Sequence, residues 1–305
     1  MAENHKLIIP SPGAVIEATA LTPEAFAPFG DVVENPRPDV HPSRAENEKS
    51  VLPFNAVVAN QGSAVKYQHV SRQVNLYGQA PSGRPASAIM SMFVCAARVR
   101  LPDPLRTASP TSRTTTTTTT TKPSPPTSSS SSLPSKFPIT VLERHPYTTQ
   151  TFIPLSRSPS TRYLVIVAPT LPSNPTPPYS SSSAPKSGTT SHLPVPSHLP
   201  TSLPEAANYP RPLPGSGPPD LQQIRAFIAT GAQAVTYGAG TWHAPMVALG
   251  EGEEAVDFVV VQFANGVGEE DCQEVFFEAG EGDGEIVVSV SLGVEESGRV
   301  EKAKL

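Results

Sequence analysis

Seven histidines are the residues of this chain best suited to move protons near neutral pH. Their neighbours sort them. His5 and His41 lie in polar sequence without periodicity, and His192 and His198 lie in a proline-rich stretch, so these four read as solvated. His69, His145 and His243 each fall within or beside a predicted strand. Glu143-Arg144-His145 closes a strand, and period-two alternation puts Glu143 and His145 on one face with Arg144 opposite. Gln150 opens the next strand, so a hairpin brings it near the same face. Gly240-Thr241-Trp242-His243-Ala244-Pro245 is a turn running into a strand, and it holds the only tryptophan. Gly238 and Gly240 let such a turn carry a side chain at the mouth of a barrel. One strand histidine alone is more often a hydrogen-bonded structural residue, and one Trp alone is more often core. Two histidines, a carboxylate and an amide at strand–turn junctions form a general acid/base set once a fold gathers them.

The elements that must do the gathering are interrupted. The chain has 305 residues and 37 prolines, more than twice the average proline share of roughly 5%. Between Thr107 and Ser135, 25 of 29 residues are Ser, Thr or Pro; between Pro169 and Pro219, 15 of 51 are Pro. Such tracts bury too little apolar surface to offset their ordering entropy. Both fall between predicted strands, so they read as disordered insertions, 107–135 and 169–219, in one domain spanning 1–305.

Around them the chain reads as mainly β. Strands are expected at Ala14–Ala18, Ser87–Arg100, Phe137–His145, Gln150–Leu155, Gln233–Tyr237, Met246–Leu249, Ala255–Ala264 and Glu274–Phe277. Arg162–Val167 is uninterruptedly apolar and reads as a central strand. Glu285–Leu292 alternates and reads as an edge. Thr22-Pro23-Glu24 opens a short helix that Gly30 ends. Asp220–Thr230 reads as the clearest helix, with Asp220 as cap, Leu221, Ile224, Phe227 and Ile228 on one face, and Gly231 as stop. About ten short strands with few helices fit an antiparallel sandwich or barrel.

Bulk properties exclude several classes. A net charge of −5 without a basic stripe argues against a nucleic-acid partner. No run of eighteen apolar residues exists, so no membrane span is expected. The apolar run Leu7–Pro10 is too short for a signal-peptide core, and Cys95 and Cys272 read as buried thiols. The ending Ala303-Lys304-Leu305 is similar to a peroxisomal address, which leaves a cytosolic or a peroxisomal location.

Four blocks, in order, resemble one family. Leu21-Thr22-Pro23-Glu24-Ala25-Phe26-Ala27-Pro28-Phe29-Gly30-Asp31-Val32-Val33-Glu34 looks like the opening of ureidoglycolate lyases, cupin-fold enzymes of allantoin breakdown. Glu143-Arg144-His145-Pro146 with Gln150-Thr151-Phe152-Ile153-Pro154-Leu155 is similar to the central motif. Arg225-Ala226-Phe227-Ile228 and the Gly240–Pro245 block resemble the C-terminal motifs. The resemblance implies a cupin-like antiparallel barrel or sandwich, a homodimer, and cleavage of (S)-ureidoglycolate to glyoxylate and urea. That reaction collapses a carbinolamide. A base takes the hydroxyl proton, an acid protonates the departing nitrogen, and a cation holds the carboxylate. By resemblance His145 and His243 are acid and base in unassigned order, with Glu143 orienting them or sharing a proton. Lys66, which precedes Tyr67 as in a family segment, is the first carboxylate anchor and Arg72 the second. Gln150, Trp242 and Tyr67 complete the substrate-binding set.

The chain also departs from cupin patterns. Glu143 stands where the first metal histidine of cupins sits, and Gln150 stands where a Glu is common. His145, His243 and Glu143 still make a set able to bind a divalent metal, but the departures argue against an obligatory one, and no cofactor is expected. Two other readings compete: an ammonia-releasing hydrolase on the same substrate, and a non-catalytic cupin that binds a small carboxylate or sugar. A mostly disordered interaction protein is a third.

Overall fold

The computed structural model describes residues 7–48, 51–100, 134–156, 158, 160–172, 216–279 and 284–291. Nearly all of the first Ser/Thr/Pro tract, the interior of the second, His5, His192, His198 and the Ala303-Lys304-Leu305 ending lie outside the described residues. Before the first tract come β1 (Leu7–Pro10), β2 (Ala14–Ala20), α1 (Pro23–Phe26), β3 (Gly30–Val33), β4 (Val57–Ala59), β5 (Ala64–Lys66) and β6 (Ser87–Val99). Between the tracts lie β7 (Ser135–Pro138), β8 (Val141–Arg144), β9 (Gln150–Pro154) and β10 (Arg162–Ala168). After the second come β11 (Arg225–Thr230), β12 (Ala234–Tyr237), β13 (Trp242–His243), β14 (Val247–Leu249) and β15 (Ala255–Ala264). Helix α2 (Gly268–Asp271), β16 (Gln273–Glu278) and β17 (Ile286–Val290) close the order.

The protein is mainly β, and fifteen of these strands belong to one sheet. The sheet is open, running from β1 to β3, and does not close into a barrel. It is also mixed, because β2 runs parallel to both β11 and β17, and β1 runs parallel to β16. Strands pair across the tracts: β6 with β15 across both, and β8 with β13 and β16 and β9 with β12 across the second. The second tract starts and ends in contact, with Thr170 bridged to Pro219 and the Leu171 amide donating to the Pro218 carbonyl at 2.9 Å.

Two apolar clusters flank β10. Tyr163, Val165 and Val167 enter one, while Leu164, Ile166 and Ala168 enter the other. A strand covered on both faces must be free of charge along its buried length, as β10 is from Tyr163 to Ala168. Each fully buried Val, Leu or Ile contributes about 1.5–3 kcal/mol, so β10 anchors both layers.

The same physics explains one departure from expectation. Asp220–Thr230 is not a helix. Asp220 does cap, its carboxylate accepting the Gln222 amide at 3.0 Å, but only for the single 3-10 turn Leu221–Gln223. The remainder is Ile224 followed by β11, with Phe227 and Ala229 in the first cluster and Ile224 and Ala226 in the second. A strand buried on both faces satisfies helical spacing by accident.

Two smaller expectations also change. The strand at Ile286–Val290 is no edge, because β17 sits between β2 and β7; alternation reports one buried face and says nothing about lateral partners. Gly30 does not end α1 but opens β3, at φ +153°, where an added Cβ would lie 1.9 Å from the Thr236 carbonyl oxygen. No helix among the described residues is long and apolar enough to cross a membrane.

Candidate active site

The site forms where β8, β9, β12 and β13 end together. Glu143 on β8 lies directly opposite His243 on β13, and Gln150 on β9 opposes Tyr237 on β12 and Gln262 on β15. Two turns finish the arrangement. Residues 146–149 are tied down by the Leu76 amide donating to the Tyr147 carbonyl at 2.7 Å. The 238–241 turn is tied by the Gly238 amide to Phe29 and by the Gly240 amide to His145, both at 2.8 Å.

Both imidazoles are buried, His145 at 6% exposure and His243 at 1%. Their Nδ1 atoms face main-chain carbonyls: His145 donates to Asp271 at 2.6 Å and His243 to Thr241 at 3.0 Å. A carbonyl only accepts, so each Nδ1 carries a proton and each Nε2 is left for chemistry. The two Nε2 atoms differ. That of His243 faces acceptors, Gln150 Oε1 at 3.2 Å and Glu143 Oε1 at 3.5 Å. Gln150 presents its oxygen because its amide nitrogen donates to Gln262 Oε1 at 2.6 Å. Tyr237 stacks on the His243 ring at 4.0 Å between centroids and fixes its plane. Nε2 of His145 is buried and has no hydrogen-bond partner among the described residues.

A family profile described as ureidoglycolate lyase matches residues 13–281. A ureidoglycolate lyase of Schizosaccharomyces pombe is 32% identical across 85% of this chain and 89% of its own length. One from Saccharomyces cerevisiae is 30% identical across 87% of this chain and 96% of its own. One from Azotobacter vinelandii is 26% identical, covering 86% and 92%. This chain belongs to the ureidoglycolate lyase family.

Within this family member the electrostatics of the cluster follow from burial and from its own charges. Burial would raise Glu143, but the hydrogen bond to His243 and the charges of both imidazoles outweigh it and hold the carboxyl below its ordinary range. Burial, then the neighbouring His243, push His145 below the ordinary imidazole value, so it is neutral near pH 7. Cys272 is a feature sequence reasoning missed. Its thiol donates to Glu143 Oε2 across 3.9 Å, and burial plus the Glu143 charge raise it to about 12, so it stays a protonated donor. Gln262 and Tyr237 were missed too, since only long-range register brings them here.

One ligand atom each from Glu143, His145 and His243 lies within 4.8 Å of the others. Two imidazole nitrogens and a carboxylate oxygen suit a borderline divalent metal, and carbonyls holding each Nδ1 are the usual support for such ligands. The residues present fit a metal.

The remaining expected residues are more scattered. Trp242 faces the opposite way from His243, into the second cluster, with the Arg144 guanidinium 4.6 Å above its ring. Lys66 is exposed on β5, which among the described residues pairs only with β4 in a separate two-stranded sheet, and Tyr67 follows it. Arg72 and His69 line a cavity of about 590 Å³ whose wall includes Thr149, Gly238 and Thr241 beside the cluster. His69 and Phe54, both in that wall, hold left-handed φ values of 55° and 54°. Such strain costs on the order of 1–3 kcal/mol per residue and concentrates at binding sites.

Proposed function

We propose that this protein is a ureidoglycolate lyase that splits (S)-ureidoglycolate into glyoxylate and urea at Glu143, His145 and His243. The observation that carries the reading is the unlike pair of Nε2 atoms inside a chain of this family: one bare, one surrounded by acceptors. His145 Nε2 takes the hydroxyl proton of the substrate. The C–O bond becomes a carbonyl as the C–N bond breaks, and His243 Nε2–H supplies the proton that the departing urea nitrogen needs. One proton is taken and one given, so the net charge of the cluster is unchanged, and proton exchange between the two rings restores the starting distribution. Glu143, ionised and held by the Cys272 thiol, stabilises the His243 cation. Arg72, in the cavity beside the cluster, is the better-placed anchor for the substrate carboxylate, ahead of Lys66.

The same three residues would hold a divalent ion, which when bound would act as a Lewis acid on substrate oxygens. Urea release from protein treated with chelator decides how far the chain's own groups suffice. Unchanged turnover supports the two-histidine reading, and turnover restored only by added metal overturns it. Ammonia in place of urea would point to the hydrolase reaction.

The finer organisation we propose is a single cupin-like domain carrying two insertions, working as a homodimer. An exposed apolar sheet face supports the dimer: Met90 at 73%, Met92 at 58% and Val94 at 70% exposure on β6, beside Ile153 and Leu155. Met92→Glu should shift the protein to monomer in sedimentation. For location, we propose that Ala303-Lys304-Leu305 acts as a peroxisomal address. An N-terminally tagged protein should appear in peroxisomes and become diffuse when the ending is removed.

A further inference from the structure

The support beneath His145 comes from an unusual place. Its Nδ1 partner is the main-chain oxygen of Asp271, the last residue of the four-residue helix α2. That oxygen belongs to a peptide unit held firmly from several sides. Asp271 Oδ1 accepts the Tyr77 hydroxyl at 2.6 Å and the Asn265 amide at 2.9 Å, and Oδ2 accepts the Gly266 amide at 2.8 Å. The Asp271 amide donates to Val267 and the Cys272 amide to Gly268, each at 2.8 Å. Tyr77 is 2% exposed, and its ring packs on Tyr147 with centroids 5.7 Å apart. Tyr147 lies on the turn that leaves His145. Tyr77 therefore grips both the turn that carries the imidazole and the residue whose carbonyl orients it.

We propose that Tyr77 and Asp271 are positioning residues for His145, fixing its Nδ1–H tautomer so that Nε2 meets the substrate as a lone pair. This rests on the reading of His145 as the proton acceptor. The physical reason is that the two neutral imidazole tautomers are close in energy, so the ring follows the strongest fixed acceptor offered to it. A carbonyl that can tilt decides less firmly than one locked through its own side chain. Tyr77 is buried and its hydroxyl stays protonated, which makes it a permanent donor to that lock.

The test uses the full chain. Side-chain 15N–1H correlation spectra read the His145 tautomer directly, and steady-state urea release reads its consequence. Wild-type protein should show His145 protonated on Nδ1 alone. Tyr77→Phe keeps the ring packing and removes only the hydroxyl. It should introduce an Nε2–H population and lower kcat about tenfold, with KM held within about twofold. Asp271→Asn keeps the carbonyl but cannot accept all three donors, so it should act in the same direction and more strongly. A folded Tyr77→Phe with unchanged His145 signals overturns the proposal, whether or not kcat falls. The lyase reading fails separately: wild-type protein that releases no urea, while Tyr77→Phe still shifts the His145 tautomer, refutes the activity and leaves the positioning intact.

Discussion

Glu143, Arg144 and His145 are consecutive, yet they serve opposite faces of one strand end. On one face Glu143 and His145 meet His243, with a bare ring nitrogen and ligand atoms within 4.8 Å. On the other, Arg144 lies over the Trp242 ring and donates to Gln273 Oε1 at 2.9 Å and to the Gly217 carbonyl at 3.1 Å. Both faces bury charge. On the Arg144 face the charge is spent on neutral acceptors and an aromatic ring that hold elements together. On the His145 face the groups are arranged against one another, so that their proton affinities diverge. Burial of a polar group thus says little about its use; what its partners are says more.

The comparison is broken most forcefully from the catalytic face. His145→Ala and His243→Ala should each lower kcat for urea release about 10²- to 10⁴-fold while thermal unfolding stays cooperative, and Glu143→Gln should fall in the same range. The next largest effect belongs to the other face and has the opposite character. Arg144→Ala leaves Gln273 and Gly217 without their donor and should cost about 2 kcal/mol in a denaturant titration, with kcat per folded molecule nearly unchanged. A large loss of kcat in Arg144→Ala without loss of stability would erase the distinction.

Proton linkage sharpens it further. His145 is held below its ordinary value of 6.5, so the neutral base persists as the pH falls past that value, and the acid limb of kcat/KM should lie below pH 6.5. The limb belongs to the coupled cluster rather than to one ring, and Arg144→Ala should not move it. Glu143 is held below its ordinary 4.5, so on acidification the unfolded chain takes up that proton first, and this contribution to stability is lost as pH drops below about 4.5. The smallest effect is expected at Cys272. Its contact to Glu143 is long for a donor, so Cys272→Ala should lower kcat only about two- to fivefold, and Cys272→Ser should restore most of it.

Side chains with chemical character were legible in the sequence because alternation and turn residues report their direction. Glu143, His145, Gln150 and His243 do converge. What was not legible is what the backbone supplies: the Asp271 and Thr241 carbonyls that set both tautomers have no residue-type signature. Residues delivered by register across long separations, Cys272 and Gln262, were equally silent. For the fold, an unbroken apolar run identified β10 correctly, yet the same double burial disguised β11 as a helix. The choice of Lys66 as first anchor and Arg72 as second leaned on resemblance to a family segment, which carries no information on the cavity that Arg72 lines with Thr149, Gly238 and Thr241.

The central claim is that the cluster of Glu143, His145 and His243 performs a carbon–nitrogen elimination. Quantifying urea, glyoxylate and ammonia from (S)-ureidoglycolate with wild-type and His145→Ala protein tests it most directly. The expected result is urea and glyoxylate in equal amounts, no ammonia, and loss of both products in the variant. Ammonia release by wild-type protein, or equal turnover by the two proteins, would contradict it.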